Sequence, residues 1–302
     1  MDKKDLTQYI KSEAKRLGFD ICGITGAKVV DESIREEYNN WINEARHGTM
    51  QYLERNCDKR FDPTLLVEGC RSIIVVAMNY YPQQKIAGIS DYAQGKDYHK
   101  VVKDRLFLLL KSINEKTCVK GRAFCDSAPL LERYWAVKAG LGWIGKNRQL
   151  IIPGKGSCFF LGELVVDIEL EYDSPFEGRH CGECRKCIEA CPGKALKEGG
   201  IDARKCLSYL TIEYRGELSP ETGELLGECF YGCDRCSAVC PHNRFSTPNK
   251  TMELQPSEGL LRMGQNDWEN LTKEEYNELF VDSAVERCGY ELLMRNIKAR
   301  RR

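Results

Sequence analysis

The chain opens with hydrophobic positions at helical spacing. Leu6, Tyr9, Ile10, Ala14 and Leu17 recur every three to four residues, and Ile34, Tyr38, Trp41, Ile42 and Ala45 repeat the pattern. Both stretches predict amphipathic helices. Residues 73–78 are an unbroken apolar run rich in β-branched side chains, which suits a strand buried on both faces. Further along, residues 101–113 predict a helix, 119–125 a strand, 132–139 a helix and 159–168 a strand. The turn-rich stretch 172–178 closes this region. After Cys240, residues 241–256 read as loop, followed by helical patterns over 273–280 and 283–299. The expected architecture is an α/β (α+β) domain over residues 1–172, a cysteine-rich domain over 173–245, and a helical extension over 246–302.

Cysteine changes this picture most. There are sixteen; six are scattered before residue 160, nine crowd between Cys181 and Cys240, and Cys288 stands alone. No apolar run approaches the roughly 18–20 residues that cross a bilayer, and the N-terminal segment has neither an apolar export core nor a twin arginine. A cytoplasmic chain without membrane contact is expected. In a reducing compartment disulfides are disfavoured, so metal binding or redox chemistry is the expected use of the thiols. The net charge is zero, which argues against coating nucleic acid by bulk electrostatics and leaves only a local basic patch.

Two cysteine runs carry the chemistry. The first is Cys181-x2-Cys184-x2-Cys187-x3-Cys191-Pro192, and the second is Cys233-x2-Cys236-x3-Cys240-Pro241. Cysteines three apart in a tight turn surround one cubane, while the cysteine before proline points to a second cluster. The first run is a complete bacterial ferredoxin signature, and the second lacks only its first cysteine. Two [4Fe–4S] clusters follow: one on Cys181, Cys184, Cys187 and the crossing Cys240, the other on Cys233, Cys236 and the crossing Cys191. Spacing leaves the eighth ligand open between Cys206 and Cys229. A structural zinc site would use four ligands in separated CxxC pairs, which this pattern does not match.

Residues 140–145 fit G-x-G-x-x-G, and Lys146 nearly completes a P-loop. Either nucleotide site needs a strand before the glycines and a helix after them. Here the preceding segment is helical, Asn147 replaces the hydroxyl that would bind magnesium, and Trp143 crowds the loop. A glycine-rich turn after a helix is the expected structure.

Several long motifs, taken in order, resemble the epoxyqueuosine reductase family, cobalamin-dependent iron–sulfur enzymes that finish queuosine in tRNA. They are Arg60-Phe61-Asp62-Pro63, Asp97-Tyr98-His99-Lys100, the stretch from Phe124 to Pro129, Gly140 to Asn147, Gly156 to Glu163, both cysteine runs, and Asp202 to Glu213. The resemblance implies a corrinoid-binding domain of reductive-dehalogenase type followed by a ferredoxin-like domain with two clusters. It implies Cys206 as the eighth ligand, and corrin contacts from Arg60, Tyr98, Asp126, Lys146, Asn147, Ser157, Ser208 and Asp234. It sets Arg215 near a tRNA that bears epoxyqueuosine at its wobble position. It also implies a monomer fed by an external donor of flavodoxin or ferredoxin type.

Asp97-Tyr98-His99 begins the D-x-H-x-x-G motif of histidine-ligated cobalamin, but Val102 stands where the glycine belongs. Base-off cobalamin is therefore expected, with His99 a partly exposed residue at a helix start. Asp126 is the expected catalytic residue. Apolar neighbours on both sides predict a desolvated carboxyl with a raised pKa, suited to protonate the departing epoxide oxygen. On the residues alone, a cap for a helix beginning near residue 129 is the favoured role, and the resemblance reverses that choice. The resemblance departs after Cys240, where the remaining chain is too short for the helical repeats of longer members. The basic residues from Arg295 onward are candidates for phosphate contact or an ordinary solvated helix end. Two other functions compete: a corrinoid reductive dehalogenase, which usually carries an export signal, and a two-cluster electron carrier, which would not need so long an N-terminal domain.

Overall fold

The computed structural model describes residues 2–178 and 180–300. Helix α1 (Lys3–Arg16) starts at Asp2, whose carboxylate accepts the Asp5 N–H at 2.7 Å, and it buries Leu6, Ile10 and Ala14. Strand β1 (Ile21–Gly26) follows, then α2 (Glu32–Asn43) and the short α3 (Cys57–Phe61). The apolar run forms β2 (Ser72–Asn79), buried along nearly all of its length. Next come α4 (Tyr98–Asn114), β3 (Gly121–Phe124) and α5 (Glu132–Lys138). The glycine-rich turn leads into a hairpin of β4 (Trp143–Ile144) and β5 (Leu150–Ile151), and β6 (Phe159–Val166) completes the sheet.

The sheet order is β1-β2-β6-β3, with every neighbouring pair antiparallel. This is an α+β arrangement rather than a parallel α/β one. Alternating side chains of β2 enter two separate cores. Ile74, Val76 and Met78 pack with α1 and α4 on one face, and Ile73, Val75 and Ala77 pack with α5 on the other. Helices on both faces explain why the central strands read as continuous apolar runs. Glycines mark the closest approaches. A Cβ at Gly162 would lie 2.6 Å from Val102 of α4, and one at Gly23 would lie 2.1 Å from the Ala139 carbonyl after α5.

The cysteine-rich segment consists of short pieces: α6 (Lys186–Glu189), a hairpin of β7 (Leu196–Lys197) and β8 (Gly200–Ile201), α7 (Leu207–Ile212), α8 (Pro220–Leu226) and α9 (Arg235–Ala238). Helices α6 and α9 each lie inside one cysteine run and pack against each other. Backbone-directed hydrogen bonds tie this segment to the sheet domain. Trp41 Nε1 donates to the Ile201 carbonyl at 2.7 Å, Ala203 N–H to the Arg46 carbonyl at 2.8 Å, and Ser157 N–H to Asn243 Oδ1 at 2.7 Å.

Four helices follow: α10 (Glu258–Arg262), α11 (Gln265–Glu269), α12 (Lys273–Leu279) and α13 (Tyr290–Ala299). The helix expected over 283–299 is broken. Gly289 takes a left-handed φ of 77° and separates a single turn at Ala284–Arg287 from α13. Of the basic tail, Arg295 donates to the carbonyls of Tyr214 and Leu210 at 2.7 and 2.6 Å, so it pins α13 to the cysteine-rich domain. Asn296 is fully buried and gives its amide to the carbonyls of Thr211 and Phe230, each at 2.8 Å. Arg301 and Arg302 lie outside the described residues. Among the described residues, no helix is long and apolar enough to cross a membrane.

Candidate active site and cysteine groups

The segment between β3 and α5 turns sharply at Asp126, which has φ 55°, a left-handed conformation that aspartate tolerates better than most residues. Its N–H donates to the Glu132 carboxylate, and Lys103 Nζ donates to Ser127 Oγ at 3.0 Å. Opposite the loop, Asp97 caps α4. Its Oδ1 accepts the His99 N–H at 3.0 Å and meets His99 Nδ1 at 2.7 Å. Tyr98 OH donates to Asp126 Oδ2 at 2.5 Å, and His99 Nε2 stands 3.5 Å from the same oxygen. The Tyr98 ring is clamped between Phe160 and His99, at centroid distances of 4.2 and 4.1 Å.

This geometry corrects the expected ionisation of Asp126. Desolvation does pull its pKa up, but hydrogen bonds from His99 and Tyr98 and the His99 charge outweigh it, and the value is lowered to about 2. The side chain is also 61% exposed, so solvent weakens the desolvation that the apolar neighbours suggested. The proton sits instead on His99. Burial disfavours its charged ring, yet bonds to Asp126 and Asp97 raise its pKa to about 9. Both ring nitrogens are committed to carboxylates. The helix-cap alternative for Asp126 also fails: Leu131 is the cap position of α5, and no side chain caps it.

The remaining expected corrin contacts differ in what they have free. Arg60 and Asn147 are buried, and Arg60 Nε and Asn147 Nδ2 have no hydrogen-bond partner. Two orphaned donors of this kind are what a polar cofactor would satisfy. Lys146 Nζ instead bonds the Gly182 carbonyl at 3.0 Å and Glu198 at 3.1 Å. Ser157 is occupied by Asn243, and the Ser208 carbonyl accepts the Thr211 hydroxyl at 3.2 Å. Asp234 accepts Ser90 Oγ at 2.5 Å and the Asp91 N–H at 2.7 Å. Arg215 donates to the carbonyls of Cys288 and Arg287 at 2.7 and 3.2 Å.

The thiols fall into two groups. Burial raises the Cys187 thiol pKa, and Cys181 and Cys240 beside it raise it further; Cys240 in turn neighbours Cys181 and Cys184. In the second group, burial and then Cys233 and Cys206 push Cys236 up to about 12, and Cys206 also neighbours Cys191. Cys229 acts on this group through Cys233. The thiol of Cys191 accepts the Ala195 N–H at 3.2 Å. Trp143 packs edge-on against His180 and His242, each at 4.9 Å, so the glycine-rich turn is a wall for the first group. A preceding helix rather than a strand confirms that it is not a nucleotide loop.

Some residues of the cleft gave no local signal. Arg287 pairs with Glu213 at 2.8 Å and lies 5.7 Å from the Tyr52 ring, and both Arg287 and Tyr52 feel the Asp126 charge. Tyr92 feels Asp126 and Asp234 together, which joins the Asp126 cleft to the second cysteine group. A separate open depression lined by Thr49, Arg204, Tyr209 and Tyr214 shares no residue with this cleft.

Residues 60–127 match the family described as epoxyqueuosine reductase QueG, DUF1730, and residues 180–243 match the 4Fe-4S double cluster binding domain. An epoxyqueuosine reductase of Cyclobacterium marinum is 44% identical over 299 residues, covering 96% of this chain and 95% of that protein. The Escherichia coli epoxyqueuosine reductase is 37% identical, covering 98% of this chain and 81% of that one. An epoxyqueuosine reductase solved with an epoxyqueuosine-modified tRNA-Tyr stem loop superposes with a TM-score of 0.90 at 28% identity, over 98% of this chain and 80% of that one. A Bacillus subtilis epoxyqueuosine reductase, captured with an aspartate-bearing catalytic loop swung out of the active site, gives 0.89 at 28% identity, over 98% and 81%. The catabolic reductive dehalogenase NpRdhA gives 0.51 at 18% identity over 82% of this chain and 33% of that one, a likeness of fold alone.

Proposed function

This chain belongs to the epoxyqueuosine reductase family, and from that premise we propose that it reduces epoxyqueuosine to queuosine in tRNA, using cobalamin and two [4Fe–4S] clusters. The observation that carries the reading is the junction at Asp234. This residue lies between Cys233 and Cys236 and holds Ser90 and Asp91, while Tyr92 next to them stacks edge-on with Tyr98 at 6.0 Å. The second cysteine group thus adjoins the cleft that contains Asp126.

Opening the epoxide to an alkene consumes two electrons and two protons and releases the oxygen as water. Bound cobalamin would supply a metal centre able to deliver both electrons, replenished by the clusters. Arg60 and Asn147 offer unsatisfied donors to such a cofactor. The clusters would be held by Cys181, Cys184, Cys187 and Cys240, and by Cys191, Cys206, Cys233 and Cys236. The chain's own residues deliver one proton at a time, and solvent, which reaches the exposed Asp126 side chain, recharges them for the second. His99 stores each proton, with Asp97 fixing the ring, and Asp126 passes it to the departing oxygen while Tyr98 orients the carboxylate. Arg215 is exposed and gives only two of its five N–H groups to carbonyls, so it keeps donors and charge for tRNA. Electrons would come from an external flavodoxin- or ferredoxin-type donor. A reductive dehalogenase shares only the fold.

The direct test is an anaerobic assay of reconstituted protein with cobalamin, a strong reductant and tRNA bearing epoxyqueuosine. Queuosine should appear; no conversion with both clusters loaded would overturn the reading.

A second expected result concerns pH. His99 has a folded pKa above its ordinary value of about 6.5, so its proton is fully present below that value and is lost as pH rises through about 9. Turnover should fall along the same limb. His99→Gln should remove the limb, lower the plateau by about 10²-fold or more, and leave the cobalt(II) EPR signal unchanged. A nitrogen splitting that disappears in this variant would make His99 a metal ligand instead of a proton store.

A further inference from the structure

Glu163 has no part in the chemistry described so far. It lies in β6 opposite Val75 of β2 and Phe124 of β3, and it is fully buried. Neither of its carboxylate oxygens receives a donor. An ionised carboxylate in that position would leave a charge uncompensated inside the protein. Its side chain meets a second carboxyl, that of Glu132 at the start of α5. Two facing carboxylates would repel each other in a buried site, and no donor reaches Glu163 to offset this, so one of the pair keeps its proton. The electrostatics agree. Burial first, and then Glu132, push Glu163 far up, while burial and then Asp126 raise Glu132 to about 7.

Glu132 is also the acceptor for the Asp126 N–H. The left-handed backbone at Asp126 persists only where its surroundings hold it there. The other charged or titratable groups around this end of the sheet are Asp126 and Cys125 of the loop, Arg133 of α5, and Lys103 of α4. None of them supplies Glu163 with a donor.

We propose that Glu132 and Glu163 are positioning residues for the reaction: the proton they share fixes Glu132, and Glu132 fixes the Asp126 loop with its carboxylate turned toward Tyr98 and His99. The proposal rests on Asp126 serving turnover as described above, and its test separates the two. Glu163→Gln keeps a donor facing Glu132 but cannot titrate, whereas Glu163→Leu fills the volume and removes the donor.

In Glu163→Leu, amide hydrogen exchange at Asp126 and Ser127 should quicken roughly tenfold or more, as a hydrogen bond to a charged group is lost. Its kcat should fall about 10²-fold, the effect of a small misplacement at a reacting centre, with KM for tRNA and iron content unchanged. Glu163→Gln should keep slow exchange and most of the rate, while losing the infrared band of a protonated carboxyl that the parent protein shows. Should Glu163→Leu fail to fold, Glu132→Leu at the half-buried end of the pair carries the same exchange readout. Wild-type exchange in the leucine variants, or equal impairment by leucine and glutamine, would overturn the proposal. Fast exchange with an unchanged kcat would uphold the grip on the loop and overturn the role of Asp126 in turnover.

Discussion

Asp126→Asn is expected to lower turnover of epoxyqueuosine-bearing tRNA by about 10²–10⁴-fold, the range for losing a positioned proton-transfer group, with cluster content unchanged. Asparagine preserves what the fold needs. It tolerates a left-handed φ, it keeps the N–H that Glu132 accepts, and its amide oxygen still accepts from Tyr98. What it loses is chemical. An amide does not take up and release a proton near neutral pH, and His99 loses one of the two carboxylates that raise its pKa. The variant should therefore also move the alkaline limb of the pH profile below pH 9, toward the ordinary histidine value. A rate near that of the parent protein would retire Asp126 as the proton-transfer group. A helix-cap role, which asparagine would fill equally well, cannot account for a large loss, because α5 has no side-chain cap.

Cys206→Ala should halve the iron and sulfide of reconstituted protein, from about eight of each per chain to about four, and should abolish turnover. The alanine removes a thiol that neighbours Cys191, Cys233 and Cys236. Cys229→Ala should keep both clusters and most of the activity, since Cys229 neighbours Cys233 whereas Cys206 neighbours Cys191, Cys233 and Cys236. Because cluster binding contributes to folding, α7, which begins directly after Cys206, should loosen in the first variant and stay intact in the second. Loss of a cluster in Cys229→Ala with retention in Cys206→Ala would transfer the ligand position to Cys229.

The cysteine runs were legible in the sequence because their spacing is local: a turn and a proline dictate where each sulfur points. The apolar run that became β2 was legible for a similar reason, since its short length and β-branched side chains favour a doubly covered strand over a buried helix. Strand β1 escaped notice because Gly23 serves the approach of Ala139, a contact made by residues far along the chain. The break in the C-terminal helix depended on one glycine conformation at Gly289. The ionisation of Asp126 departs from the sequence expectation for a related reason. Its flanking residues are apolar, but the groups that decide its charge, Tyr98 and His99, come from another element. Glu163 stood in a recognisable motif, yet only the assembled sheet reveals that both of its oxygens lack donors.

The cleft straddles the end of the sheet. Tyr98 and His99 arrive on α4 from one face, and Glu132 arrives on α5 from the other, where Glu163 also points. The two helices are separated by a layer of β-structure but meet at Asp126, whose carboxylate faces Tyr98 and His99 of α4 and whose N–H is held by Glu132 of α5. Substitutions that share a partner do not add independently. A change on the α4 face, at Val102 or Gly162 for instance, is therefore felt on the α5 face, since Gly162 directly precedes Glu163 in β6 and both faces act on Asp126. A lineage that retunes the proton supply from one side of the sheet must adjust the grip from the other side in step with it.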